Sequence, residues 1–175
     1  MLLALILVLA SLILLIKSAI RPRAQPPAEQ DAPHRWIVVD GSNVMHWMDN
    51  TPRIETVRAV VSELMLRGYS PGVVFDANAG YKLGGRYKGE RELGWMVGLP
   101  QDRVFVVPKG TQADPFLLAS ARDLGARIVT NDRFRDWAEA HPEVHDPGHL
   151  IRGGYRDGGL WLEAAAPKGA SDCAR

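Results

Sequence analysis

Asp40, Asp76, Asp114 and Asp132 each follow, directly or within one loop, a short apolar run of four residues. The runs are Trp36-Ile-Val-Val39, Gly72-Val-Val-Phe75, Val104-Phe-Val-Val107 and Arg127-Ile-Val-Thr130. Carboxylates gathered in one place repel and lose hydration unless something neutralises them. A hard divalent cation, Mg²⁺ or Mn²⁺, does so with oxygen ligands while keeping several waters. Such a centre activates water and stabilises a phosphoryl group undergoing displacement, which is the chemistry of phosphodiester hydrolysis. Taken singly, each acid has a plainer reading. Asp114 before Pro115 suits a helix N-cap, and Asp132 suits a cap for a helix starting at Phe134. Asp40-Gly41 is a common turn pair, and Asp76 opens a polar loop. Their conjunction is what points to a metal site.

The conjunction depends on the elements between them. The four apolar runs read as buried strands, and helical patterns separate them. Thr51-Pro52 opens a helix in which Ile54, Val57, Val61 and Leu64 recur at helical spacing, closed by Gly68. Tyr87 to Val97 reads as a second helix, Asp114-Pro115 to Gly125 as a third, and Phe134 to Ala140 as a short fourth. His149 to Tyr155 and Leu160 to Glu163, joined through Asp157-Gly158, read as a closing hairpin or two edge strands. The alternation predicts an α/β fold with a mostly parallel central sheet covered on both faces. In such sheets ligands bind beyond the carboxyl ends of the strands, where all four acids are expected.

Outside this domain, Met1 to Ile16 is apolar apart from Ser11, and Lys17, Arg21 and Arg23 follow. Residues 1–20 are long enough for a transmembrane anchor, and basic residues on its carboxyl side predict a single-pass inner or plasma membrane protein with a cytoplasmic domain. A secretory signal peptide would carry its basic residues before the apolar run and a small-residue cleavage site after it. Residues 21–34, with four prolines, read as a semi-stiff linker, 35–163 as the folded domain and 164–175 as a disordered tail. Net charge is +1, so bulk electrostatics do not indicate nucleic acid and only local clustering can. A lone cysteine, Cys173, excludes an intrachain disulfide and a cysteine–histidine zinc cage.

Val39-Asp-Gly-Ser-Asn-Val44, Ala113-Asp-Pro-Phe and Ile128-Val-Thr-Asn-Asp-Arg-Phe-Arg-Asp136 together resemble the NYN branch of the PIN-like nucleases, in particular the Regnase group. The likeness runs from about Arg35 to Leu162. It implies a three-layer αβα PIN-like domain and a Mg²⁺-dependent endoribonuclease acting on single-stranded or loop RNA. It further implies that Asp40, Asp114 and Asp132 form the acidic centre, with Asn43 positioning a ligand or substrate. The Regnase group has two consecutive aspartates where this chain has Ala113-Asp114, so one acid is missing, and Asp76 is the candidate replacement. The zinc finger of some relatives is absent.

Lys82, Arg86, Lys88 and Arg91, with Tyr81 and Tyr87 among them, form a candidate track for a phosphate backbone, against the alternative of a solvated loop. Arg133 and Arg135 flank Asp132 and are further candidates for phosphate contact. His46 is a candidate proton carrier, with a structural histidine as the plainer reading. The expected partners are therefore RNA, the membrane and a second copy of the chain in a homodimer. Two other readings compete with a membrane-anchored ribonuclease: a catalytically silent PIN-like module that binds RNA or protein, motivated by Ala113, and a small-molecule phosphohydrolase. The latter lacks a phosphate-cradling glycine motif of the right spacing.

Overall fold

The computed structural model describes residues 35–163, so the expected anchor, linker and tail lie outside the described residues. Among the described residues no helix is long and apolar enough to cross a membrane. Strand β1 (Trp36–Asp40) runs into a single-turn helix α1 (Gly41–Val44), and α2 (Ile54–Leu66) returns the chain to β2 (Ser70–Phe75). Helices α3 (Ala79–Gly84) and α4 (Glu90–Val97) precede β3 (Val104–Val106), and α5 (Ala113–Asp123) precedes β4 (Arg127–Val129). After two 3₁₀ turns come β5 (Leu150–Ile151) and the hairpin β6 (Gly153–Arg156) and β7 (Gly159–Leu162).

The main sheet has the order β3-β2-β1-β4-β5, and every pairing in it is parallel. Its strands alternate between two apolar layers, as a period of two requires. Ile37, Val39, Val73, Phe75 and Val129 face the layer shared with α2 and α4. Val38, Val74 and Ile128 face the layer shared with Leu117, Leu118 and Ala121 of α5. The three-layer αβα architecture is thus the expected one. The stacked rings of Phe105 and Phe116, 3.9 Å apart, fasten α5 to the edge strand.

Several element boundaries differ from the expectation. Helix α2 starts at Ile54 rather than at Thr51-Pro52: Asp49 and Asn50 hold positive φ, and Arg53 stays extended while its N–H donates to the Met45 carbonyl. The Tyr87–Val97 segment is helical only from Glu90, because residues 86–88 fold back over α3, where Gly80 leaves no room for a side chain. Asp114 is not an N-cap; it lies in the first turn of α5, behind Gln112. The helix expected from Phe134 shrinks to a 3₁₀ turn, Arg135–Trp137, because Phe134 is left-handed at φ 48°. That conformation is unfavourable for a bulky residue, and burial of the ring against the α5 layer offsets it. The run from His149 divides into the fifth parallel strand and the first arm of the hairpin.

Chain order reverses between β1 and β4, so the crevice beyond their carboxyl ends is where this fold accommodates ligands. Gly41 makes the close approach there: a Cβ at this position would stand 2.5 Å from the Phe75 ring, which is fully buried. We expect Gly41→Ala to destabilise the domain by about 1–3 kcal/mol through overpacking. The check is urea unfolding, with a lower midpoint at unchanged slope as the expected result.

Candidate active site

Asp40 is the last residue of β1 and the centre of a small hydrogen-bond network. Its Oδ1 accepts the Asn43 backbone N–H at 3.0 Å, and its Oδ2 accepts the Thr130 hydroxyl at 3.0 Å. Thr130 itself is fully buried, and its Oγ1 accepts the Asp132 backbone N–H at 3.0 Å. One hydroxyl therefore ties the end of β1 to the loop after β4. Asp132 in turn accepts the Phe134 N–H at 2.7 Å, which sets the tight turn of that loop. The expected helix-capping role is not met: Phe134 takes the N-cap position of the 3₁₀ turn, which has no side-chain cap hydrogen bond. On the β2 side, Ser42 Oγ accepts the Asp76 N–H at 2.8 Å and so joins α1 to the second acid.

Asn43 holds the same loop from the other side. Its Oδ1 accepts two N–H groups, from the Trp47 indole at 2.8 Å and the Asn131 backbone at 3.0 Å. Both lone pairs of that oxygen are thereby used, leaving the Nδ2 group as the part of the side chain that can address a ligand. The Asn131 side chain bridges to the C-terminal hairpin: Nδ2 donates to the Gly153 carbonyl at 2.9 Å, and Oδ1 accepts the Gly153 N–H at 3.3 Å. Arg152 adds a hydrogen bond from Nη1 to the Asn131 carbonyl. A side chain at Gly153 would collide with Trp47 and Leu162, so the hairpin can close on the loop only through glycine.

The four expected acids share one electrostatic environment. Asp40 keeps a partly exposed edge but is set deep among protein atoms. Loss of hydration is the largest cause raising its carboxyl to about 7. Hydrogen bonds from Asn43 and Thr130 oppose the rise, and repulsion from Asp114 and Asp76 adds to it. Asp114 is also raised, first by burial and then by Asp132, with Asp76 and Asp136 contributing and a hydrogen bond from Trp137 opposing. The carboxylates are close enough to repel. Among the described residues, however, no three His, Cys, Asp or Glu side chains close into a ready cage for a metal ion. The donor set is all oxygen and anionic, which fits a hard cation that completes its shell with water.

The basic candidates divide. Arg86 and Lys88 both bind Glu92, at 2.7 and 2.5 Å, and Lys88 holds the Glu92 carboxyl below its usual range; Lys88 is itself buried. Arg91 lies 3.4 Å from Gln101, Lys82 and Tyr81 are exposed on α3, and Tyr87 is exposed beyond it. These four residues therefore do not form one open basic track. Arg133 and Arg135 are exposed beside Asp132. His46 takes the structural role, its Nδ1 donating to the Ser42 carbonyl at 2.8 Å. Ala113 is the first residue of α5 and packs against the apolar layer beneath it. Thr130, Asn131, Asp136, Trp137 and Gly153 were not anticipated as parts of the site. Asp136, four residues after Asp132, had a visible signal in that spacing.

Residues 33–147 match the family model described as the Zc3h12a-like ribonuclease NYN domain. The chain belongs to this family. Its resemblance to the NYN branch and the Regnase group is thereby established over most of the domain. Comparison with curated proteins finds no match. Among solved structures, the chain is similar to the crystal structure of nuclear proteinaceous RNase P 2 (PRORP2) from A. thaliana, with a TM-score of 0.60 and 19% identity. That match covers 77% of this chain and 30% of the other. A second structure of Arabidopsis thaliana nuclear protein-only RNase P 2 gives a TM-score of 0.56 at 19% identity, covering 79% and 31%. The chain thus spans under a third of that protein, and the likeness is one of fold.

A pH dependence follows from Asp40. The unfolded chain releases its proton near the ordinary aspartate value of 3.8 and the folded protein only at about 7. Folding is therefore weakened as pH rises through that window, and the loss is complete above it. Asp114 shifts in the same direction. In chelator, we expect wild type to lose stability from pH 4 to pH 8 and Asp40→Asn to remove most of the Asp40 part, on the order of a few kcal/mol. Urea unfolding across that range is the measurement; an unchanged pH slope in the variant would contradict the assignment.

Proposed function

We propose that this NYN-family protein is a membrane-anchored, metal-dependent endoribonuclease that hydrolyses RNA phosphodiester bonds in single-stranded or loop regions. The observation that carries the reading is the electrostatic coupling of Asp40, Asp76, Asp114 and Asp132 at the crevice between β1 and β4. Asp40, Asp114 and Asp132 are the residues that would hold Mg²⁺ or Mn²⁺, with Asp76 supplying the charge that Ala113 does not. The cation would polarise water and stabilise charge on the phosphoryl group. The chain's own contribution is positional. Thr130 orients the Asp40 carboxylate, Asn43 fixes the backbone of the Asp132 loop, and its free amide N–H groups face the role of donor to substrate. Arg133 and Arg135 are exposed on that loop and suited to a phosphate oxygen.

Labelled single-stranded RNA, incubated with the full chain in Mg²⁺, Mn²⁺ or chelator, tests the reaction. Cleavage should require the metal, and Asp132→Asn should reduce its rate by at least about 100-fold, with far-ultraviolet circular dichroism unchanged. RNA binding without turnover under every metal condition would instead make the module catalytically silent, with the missing acid at Ala113 as the cause.

Residues 1–20 are proposed as a single-pass anchor that leaves the domain in the cytoplasm, supported by their apolar run and by Lys17, Arg21 and Arg23 after it. After alkaline extraction, the full-length protein should stay with the membrane pellet. Its recovery in the supernatant would sink the anchor while leaving the nuclease reading untouched.

A further inference from the structure

The family match ends at residue 147, and the hairpin that braces Asn131 lies beyond it. In an antiparallel pair, directly opposed residues share a face. Gly153 and Leu162, with Tyr155 and Leu160, form one face of the hairpin. Leu160 and Leu162 on that face pack into the core layer of α2 and α4. The other face is composed of Gly154 opposite Trp161 and Arg156 opposite Gly159. It carries an indole, a guanidinium and two bare glycines.

Trp161 is not packed away: it remains 38% exposed. Its ring lies against Gly154, where a Cβ would stand 3.3 to 3.6 Å from three indole atoms. The Arg156 guanidinium stands 5.7 Å from the ring centre. The glycine floor lets the indole lie along the strand, and the arginine holds a positive charge over the ring. The four paired positions of this face carry no carboxylate; Glu163, two residues beyond Trp161, follows at its end, where its Oε2 accepts the Arg152 backbone N–H at 3.2 Å. The location is equally specific. Both backbone groups of Gly153 bind Asn131, which adjoins Asp132, and Trp161 pairs with the next residue of the strand. At ~3.4 Å per residue and ~5 Å between paired strands, the Trp161 backbone lies roughly 6 Å from Gly153, the residue that contacts Asn131. Arg152 adds a second cation at the junction, bound to a neutral carbonyl.

We propose that this outer face is a stacking platform for single-stranded RNA, with a base lying on Trp161 and the adjoining phosphate beside Arg156. Aromatic faces bind bases without regard to sequence, and a neighbouring guanidinium supplies both cation–π and phosphate contact. The proposal rests on the nuclease reading for its ligand class and for the neighbouring cleavage centre. It differs from that reading in its residues, none of which touches the acids. Tied through Gly153 to the loop bearing Asp132, the platform would hold the strand at a fixed distance from the acids.

The test uses the full chain carrying Asp132→Asn, so that binding is measured without cleavage, and a fluorescein-labelled single-stranded RNA. Trp161→Ala should raise Kd by about 10-fold, while Trp161→Phe, which keeps a ring, should stay within about 3-fold. Arg156→Ala should weaken binding and lower the slope of log Kd against log salt by about one. With Asp132 restored, Trp161→Ala should raise KM and leave kcat nearly unchanged. An unchanged Kd for Trp161→Ala, or an equal loss in Trp161→Phe, would overturn the platform; metal-dependent cleavage in the same samples would leave the nuclease standing. Trp161-dependent binding without turnover would do the reverse, supporting the platform and refuting the nuclease.

Discussion

Negative charge gathered at the carboxyl edge of a parallel sheet is the constraint around which this domain is arranged. Parallel strands with the order β3-β2-β1-β4-β5 open a crevice beside Asp40, and the neighbouring connections bring further aspartates towards it. Asp40 itself is deprived of water and repelled by its neighbours, so its carboxylate is intrinsically unfavourable in the free protein. What keeps it in place is geometry: two hydrogen bonds to the carboxylate, and a buried threonine shared with the loop of Asp132. The surrounding packing serves the same end. Gly41 lets the chain turn closely beneath Phe75, and the Phe105–Phe116 stack holds α5, which carries Asp114.

The parts of this arrangement readable in advance were those governed by local pattern. Strands β1, β2, β3 and β4 each carry a short buried apolar stretch because both faces of the sheet are covered, and acids after them fall on the ligand-binding side by topology. The family motifs pointed independently to three of these acids, Asp40, Asp114 and Asp132, but not to Asp76. Helix starts were less legible. At Phe134 the positive φ accompanies burial of the ring, and nothing in its propensity reduces the helix expected there to one turn, whereas Asp49 and Asn50 are exposed and of types that enter the left-handed region readily.

Side-chain pairing was legible only in part. Lys88 and Glu92 are four residues apart, with Lys88 just ahead of α4, and their bond withdraws Lys88 from any phosphate track. Arg86 joins the same glutamate from six residues away, which no spacing rule foretells. Asn43 presents a similar difficulty. Its motif marked it as functional, yet its oxygen is spent on Trp47 and on Asn131, a residue 88 positions along the chain. Such roles arise from contacts that exist only after the sheet has assembled.

The bracing of Asn131 by Gly153 also has a temporal side. A polypeptide is synthesised from its amino end, and a loop can make no bond to residues not yet added. Strand β4 and the Asp132 loop emerge some twenty residues before Gly153, and β7, whose Leu162 packs over Gly153, comes later still. The nascent chain therefore has its acids in hand before it has the clamp that orders them. The crevice can be fully braced only once the residues of β6 and β7 have been added to the chain.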